Sequence, residues 1–199
     1  ILDCIKEGIN PADFGPKVLK NYCPDLIGIQ CYSFDVGSVR RLLKAIKEWD
    51  SSIVTVVGGA HISSTPIPAF ENLKENMDFA FSGEAEVSFS MFIDLLDSYQ
   101  ESPDYSSIPG LIWENGNQIV VNPSQFEDDL DTLGDPAWDL ISPELYPESQ
   151  HGAFFKKFPI APIITTRGCP YACTFCSAPI LSGKDLRHHS KEYVLRNIS

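Results

Sequence analysis

The sequence predicts an α/β fold built on a parallel sheet, and three observations carry that reading. Apolar runs of five to seven residues alternate with helix-patterned segments over the first hundred residues. The runs end in small or polar loops, as strands do where a parallel sheet presents its carboxyl edge to a ligand. Hydrophobic residues make up 43% of the 199, enough for a packed core.

The elements follow in order. "ILDCI" reads as the end of a strand, and "PADFGPKVLKNY" (11–22) as a weak helix. "DLIGIQC" (25–31) is a buried-strand pattern. In "VGSVRRLLKAIKEW" (36–49), Val36, Val39, Leu42, Leu43, Ile46 and Trp49 recur every three or four residues, with Arg40, Arg41, Lys44 and Lys47 off that face. That is an amphipathic helix. "SIVTVVGG" (52–59) is β-branched and ends in two glycines. "PIPAFENLKENM" (66–77) starts with the prolines that a first helical turn tolerates. "DFAFSGEAE" (78–86) is a short strand and turn, and "VSFSMFIDLLDSY" (87–99) carries a Phe89, Phe92, Ile93, Leu96 stripe. The expected ligand-facing loops are "QCYSFD" (30–35), "GGAHISST" (58–65) and "SGEAE" (82–86).

The middle of the chain changes character. "GLIWENGNQIVVNP" (110–123) joins two apolar runs through Asn115-Gly116, whose readiness for positive φ marks a hairpin. The stretch 124–150 is rich in acids and proline and reads as a linker. Glu127, Asp128, Asp129 and Asp131 read as a solvated face, because they lack the alternation of a calcium loop. His151 in the linker receives no role. A β-rich run, "IAPIITTRGCP" (160–170), then leads into the cysteines, and "KEYVLRNIS" (191–199) starts a helix.

Charge and cysteine usage bound the function. The net charge is −12 and no basic cluster stands out, which argues against a nucleic-acid partner. No apolar run reaches the ~18 residues of a membrane span. The opening "ILDCIKEGIN" has no basic start, so no signal peptide is expected. Of six cysteines, Cys169, Cys173 and Cys176 crowd together while Cys4, Cys23 and Cys31 are scattered. Cys4 and Cys31 lie in or beside apolar runs and read as small buried hydrophobes. This is the pattern of a reduced, cytoplasmic protein with one thiolate cluster rather than a disulfide scaffold.

Three thiolates spaced C-x3-C-x2-C leave a fourth ligand position open. Zinc could be completed by His188 or His189, as a Cys3His site in a non-catalytic binding module. A cubane [4Fe–4S] cluster matches the crowded spacing better, since its irons are spread and one loop can give a sulfur to each of three.

The stretch "RGCPYACTFCSAP" resembles the cluster loop of the radical S-adenosylmethionine superfamily, in its leading Arg-Gly, its Cys-Pro and the aromatic before the last cysteine. The resemblance implies that Cys169, Cys173 and Cys176 bind three irons, that S-adenosylmethionine chelates the fourth, and that Phe175 lies beside the adenine. It further implies reductive cleavage to a 5′-deoxyadenosyl radical.

Upstream, "PDLIGIQCYSF", "VVGGAHISSTP", "DFAFSGEAEVSF" and "DDLDTLGDPAWDLI" resemble, in order, the cobalamin-binding members of that superfamily, which include methyltransferases and cyclases. The implied fold is a Rossmann-like (flavodoxin-like) cobalamin domain over 1–100, a hairpin-containing linker over 101–158, and the start of a radical (β/α) barrel over 159–199. Ser33, Gly58, Gly59, His61, Gly83 and Glu84 would face the cobalamin. No D-x-H-x-x-G loop is present, so His61 reads as a loop histidine bonded to its neighbours rather than a cobalt ligand. By the same likeness the chain is expected to be a fragment lacking the first strand and most of the barrel, and inactive by itself. A small-molecule substrate and an electron donor such as flavodoxin or ferredoxin are the implied partners. A variant reading keeps the cluster and leaves the first domain as a scaffold without cobalamin.

Overall fold

Three parallel strands set the architecture: β1 (Leu26–Gln30), β2 (Val54–Gly58) and β3 (Phe79–Phe81), hydrogen-bonded in that order. The computed structural model describes residues 1–4, 6–98, 102–146 and 156–198. The expected hairpin forms as β4 (Leu111–Asn115) and β5 (Gln118–Val121) around Asn115-Gly116. It does not stand apart as linker structure: β4 pairs antiparallel with β3, so the sheet has five strands in the order β1-β2-β3-β4-β5. His151 lies outside the described residues.

Helices cover both faces. Residues 11–22 are helical in three pieces: α1 (Pro11–Phe14), a π-helical turn (Gly15–Leu19) and α2 (Lys20–Tyr22). Next come α3 (Val36–Trp49), α4 (Ala60–Ser64), α5 (Pro66–Leu73) and α6 (Glu86–Asp97). The pleat of β2 shows the layering, because its successive side chains point to opposite faces. Val57 joins Leu43, Ile62, Phe70 and Leu73 on the α3 and α5 side. Its neighbour Val56 joins Phe81, Phe92, Ile108 and Leu111 on the α6 side. A third cluster, of Phe14, Leu19, Ile46 and Ile53, seats α1 and the π-helical turn against α3.

Three expectations change. The "ILDCI" run is not a strand among its described residues: Ile9 N–H reaches back to Cys4 O (2.8 Å) in a turn, and Cys4 and Ile9 pack on the third cluster. The polar loop after β2 is helical from Ala60, because its first turn is anchored by Ser63 N–H to Gly59 O (3.1 Å). The β-rich run 160–170 yields only β6 (Thr166–Arg167), whose partner is β7 (Arg187–His188). Between those strands lie the cysteine loop and α7 (Ala178–Ser182), and α8 (Lys191–Ile198) follows. The described residues contain no closed barrel. No helix among them is long and apolar enough to cross a membrane.

Candidate functional site

The carboxyl ends of β1, β2 and β3 converge through backbone contacts that require small residues. Cys31 N–H donates to Gly58 O (2.8 Å), and His61 N–H donates to Cys31 O (3.2 Å). Gly59 has φ +103°, and a Cβ there would stand 2.9 Å from Cys31 O, so a side chain meets both strain and a clash. Ser63, buried, ties the second and third ends together: its hydroxyl donates to Gly59 O (3.1 Å) and accepts from Gly83 N–H (2.9 Å). Ser33 Oγ lies 3.1 Å from His61 Nδ1, so these two predicted residues meet each other. Tyr32 and Phe34 beside them stack in parallel, 5.6 Å between centroids.

The cysteine unit faces this edge. Gly168 has φ +92°, and a Cβ there would fall 2.0 Å from Asp185 O, so glycine alone lets β6 turn into the loop. Cys169 follows, half-buried, with its N–H on Gly183 O (3.0 Å). Cys173 and Cys176 are exposed and share a turn, Cys176 N–H to Cys173 O (3.2 Å). All three are free thiols, and Phe175 is 90% exposed. Among the described residues, no three His, Cys, Asp or Glu side chains stand close enough to hold one metal ion, so the three sulfurs do not converge on one point. His189, a candidate zinc ligand, is buried with Nδ1 2.9 Å from Asp131 Oδ1 and its ring 3.7 Å from that of Tyr193. Hydrogen bonds from Ser190 first, then His189, hold the Asp131 carboxyl below the usual carboxylate range. Asp131 is therefore a tie between the linker and α8 rather than part of a freely solvated face. His188 stands exposed on β7.

Between the edge and the cysteine unit lies a cleft of about 880 Å³. Tyr32, Gly59 and Gly83 line one wall, and Ile164, Gly168 and Ala178 the other. Glu84 also borders it, but its carboxylate is already engaged. Arg187 grips both oxygens (Nη2 to Oε1 2.7 Å, Nη1 to Oε2 3.0 Å), and Arg167 Nη1 stands 3.5 Å from Oε2. Glu84 pushes Arg187 further into its charged form. Sequence reasoning missed Ser63, Arg187 and the pairing of Arg167. No local signal marks them: Glu84 and Arg187 are 103 residues apart, and their contact exists only once the chain has folded.

No protein-family model matches the chain. It is 29% identical over 203 residues to an uncharacterized methyltransferase of Pyrococcus horikoshii, covering all of this chain and 41% of that protein. It is 28% identical over 155 residues to the cobalamin-dependent radical SAM methyltransferase TokK of Streptomyces tokunonensis, covering 77% of this chain and 22% of that one. The chain thus spans less than half the length of these relatives. In fold it is similar to the cobalamin-dependent S-adenosylmethionine radical enzyme OxsB solved with aqua-cobalamin bound, with a TM-score of 0.69 at 17% identity over 94% of this chain and 25% of that one.

Proposed function

We propose that this chain, a relative of the cobalamin-dependent radical S-adenosylmethionine enzymes, holds cobalamin and a [4Fe–4S] cluster on facing sides of one cleft in a methyltransferase or cyclase acting on a small molecule. One observation carries the reading: the glycine-lined carboxyl edge of the sheet and the two residues that flank the three-cysteine loop, Gly168 and Ala178, line one cleft. Its volume, about 880 Å³, falls in the range of small-molecule sites, roughly 300–1,000 Å³.

The residues present fit the groups. Gly59 and Gly83 line the cleft, and because a Cβ there would meet Cys31 in the first case and Ser124 in the second, glycine lets the strand ends close up behind the edge. Ser63 holds those two turns at a fixed separation, and Ser33 and His61 hold one another beside them. In this reading Ser33, Gly58, Gly59, His61 and Gly83 face the cobalamin. Glu84 borders the same edge with its carboxylate turned to the arginines.

Cys169, Cys173 and Cys176 are the chain's donors to iron. They would ligate as thiolates, and Cys173 and Cys176 stand exposed on their turn. Gly168 and the Cys169–Gly183 backbone bond fix the first ligand, while the exposed turn can close the other two around the cluster. Phe175, free of packing, can swing against the adenine of S-adenosylmethionine. Bound together, the groups supply one-electron cleavage of S-adenosylmethionine and methyl or ring-forming chemistry, with electrons from a donor such as flavodoxin or ferredoxin.

Anaerobic reconstitution with iron, sulfide and hydroxocobalamin tests this. About four irons per chain, broad brown absorbance and retained cobalamin are expected. A colourless protein with one zinc contradicts the cluster, and cobalamin that washes off completely contradicts the cobalamin edge.

A further inference from the structure

The ribbon that carries the cysteine loop has an electrostatic fault. β6 and β7 are two residues each, and their register sets Arg167 directly opposite Arg187. An isolated two-stranded ribbon is marginal in water, and like charges directly opposite destabilise it further. Both side chains are also withdrawn from solvent, at 18% and 6% exposure.

The compensation comes from the other half of the molecule. Glu84, 10% exposed, sets one carboxylate between the two guanidinium groups, and Glu86 takes Arg167 Nη1 at 2.7 Å. Two cations and two anions therefore balance, and this is not an anion site. Arg187 turns its other Nη hydrogens to Ser182 O (2.7 Å) and Glu127 O (2.6 Å), with Phe126 under its face at 5.3 Å. A bidentate carboxylate–guanidinium pair fixes angle as well as distance. Glu84 directly follows Gly83 of the cleft edge, and Arg167 stands two residues before Cys169.

We infer that Glu84 is a positioning residue that clamps the base of the cysteine loop to the carboxyl edge of the sheet by neutralising the Arg167–Arg187 pair. The clamp fixes how far the first cysteine stands from the glycine edge; that this is a distance between two cofactors rests on the function proposed above.

The test is amide hydrogen exchange on the full chain without cofactors, comparing Glu84→Gln, Arg187→Met and the double variant. The amides of Cys169 (on Gly183 O) and His189 (on Thr165 O) report the ribbon, and that of Cys31 (on Gly58 O) reports the sheet. Breaking one partner of a withdrawn ion pair leaves the other uncompensated, so each single variant speeds exchange at Cys169 and His189 about tenfold or more, with Cys31 unchanged. The double variant exchanges no faster than the worse single one. Unchanged ribbon exchange in Glu84→Gln overturns the inference, and so do two single effects that multiply in the double. If Glu84→Gln also loosens Cys31, Glu84→Asp, which keeps the charge but shortens its reach, is read by the same ratio. Reconstitution of the wild type then separates the two proposals: a chain that shows the clamp but binds no cluster refutes the function and leaves the clamp standing.

Discussion

Replacing Gly168 by alanine presses on the point where the fold places its first cysteine. The added Cβ would lie 2.0 Å from Asp185 O and 2.9 Å from its carbonyl carbon. Both are backbone atoms, so no side chain can swing aside. The φ of +92° adds strain of about 1–3 kcal/mol for a residue with a Cβ. Relieving the overlap requires a backbone shift, which in packed sites costs roughly 1–3 kcal/mol more. A ribbon with two residues on each side has little to offset a sum of about 2–6 kcal/mol. Gly116→Ala is the matched control: its φ is +61°, but a Cβ there meets nothing within 4 Å, so only conformational strain remains. The assay is iron content after anaerobic reconstitution, with amide exchange at Cys169 as the structural readout. Gly168→Ala should lose most of its iron and the protection of Cys169, while Gly116→Ala keeps both. A Gly168→Ala protein that holds about four irons as firmly as the wild type would refute the reasoning.

Other consequences are as direct. Phe92 is fully buried and its ring contacts those of Phe79, Phe81 and Phe89 at 4.9, 5.7 and 6.3 Å between centroids, so Phe92→Ala should cost about 3–5 kcal/mol in urea unfolding. Less than about 1 kcal/mol would mean that the α6 layer is not packed as described. Gly59→Ala should weaken retention of hydroxocobalamin about tenfold or more, by strain and by the clash with Cys31, yet leave iron content unchanged. Equal losses of both would show that the edge and the loop do not act separately. The Asp131 carboxyl is depressed in the folded chain, so its stabilising effect is complete above the unfolded value of about 3.9 and is lost as pH falls through the lowered folded value. Thermal melting between pH 6 and 3 should therefore fall less steeply at the acid end in Asp131→Asn than in the wild type.

What the sequence disclosed divides by range. The stripe through Val39, Leu43 and Ile46 specifies α3 within one segment, and all three are buried. Asn115-Gly116 specifies its hairpin for the same reason, since turn chemistry is local. The cysteine spacing is local too, whereas the need for Gly168 before it comes from Asp185 across the ribbon. Pairing across the fold left no local trace. That the hairpin docks on β3 depends on a sheet edge supplied some thirty residues earlier. The buried bridge of Ser63 and the clamp of Glu84 on Arg187 join residues whose own neighbourhoods look ordinary. The helix α4 was hidden because "GGAHISST" has turn-like composition, while its order comes from Gly59 O and Cys31 O accepting its first N–H groups. Exposed Trp49 shows the reverse limit: it fits the helix stripe by spacing, yet 49% of it stays in solvent.

The claim most exposed to test is that one cleft sets cobalamin against the cluster. Pulsed electron paramagnetic resonance on the full chain, carrying both cob(II)alamin and a reduced cluster, measures their dipolar coupling. A coupled pair with a single narrow distance is expected, broadened in Glu84→Gln. Two independent, uncoupled signals from a protein that holds both groups would contradict it.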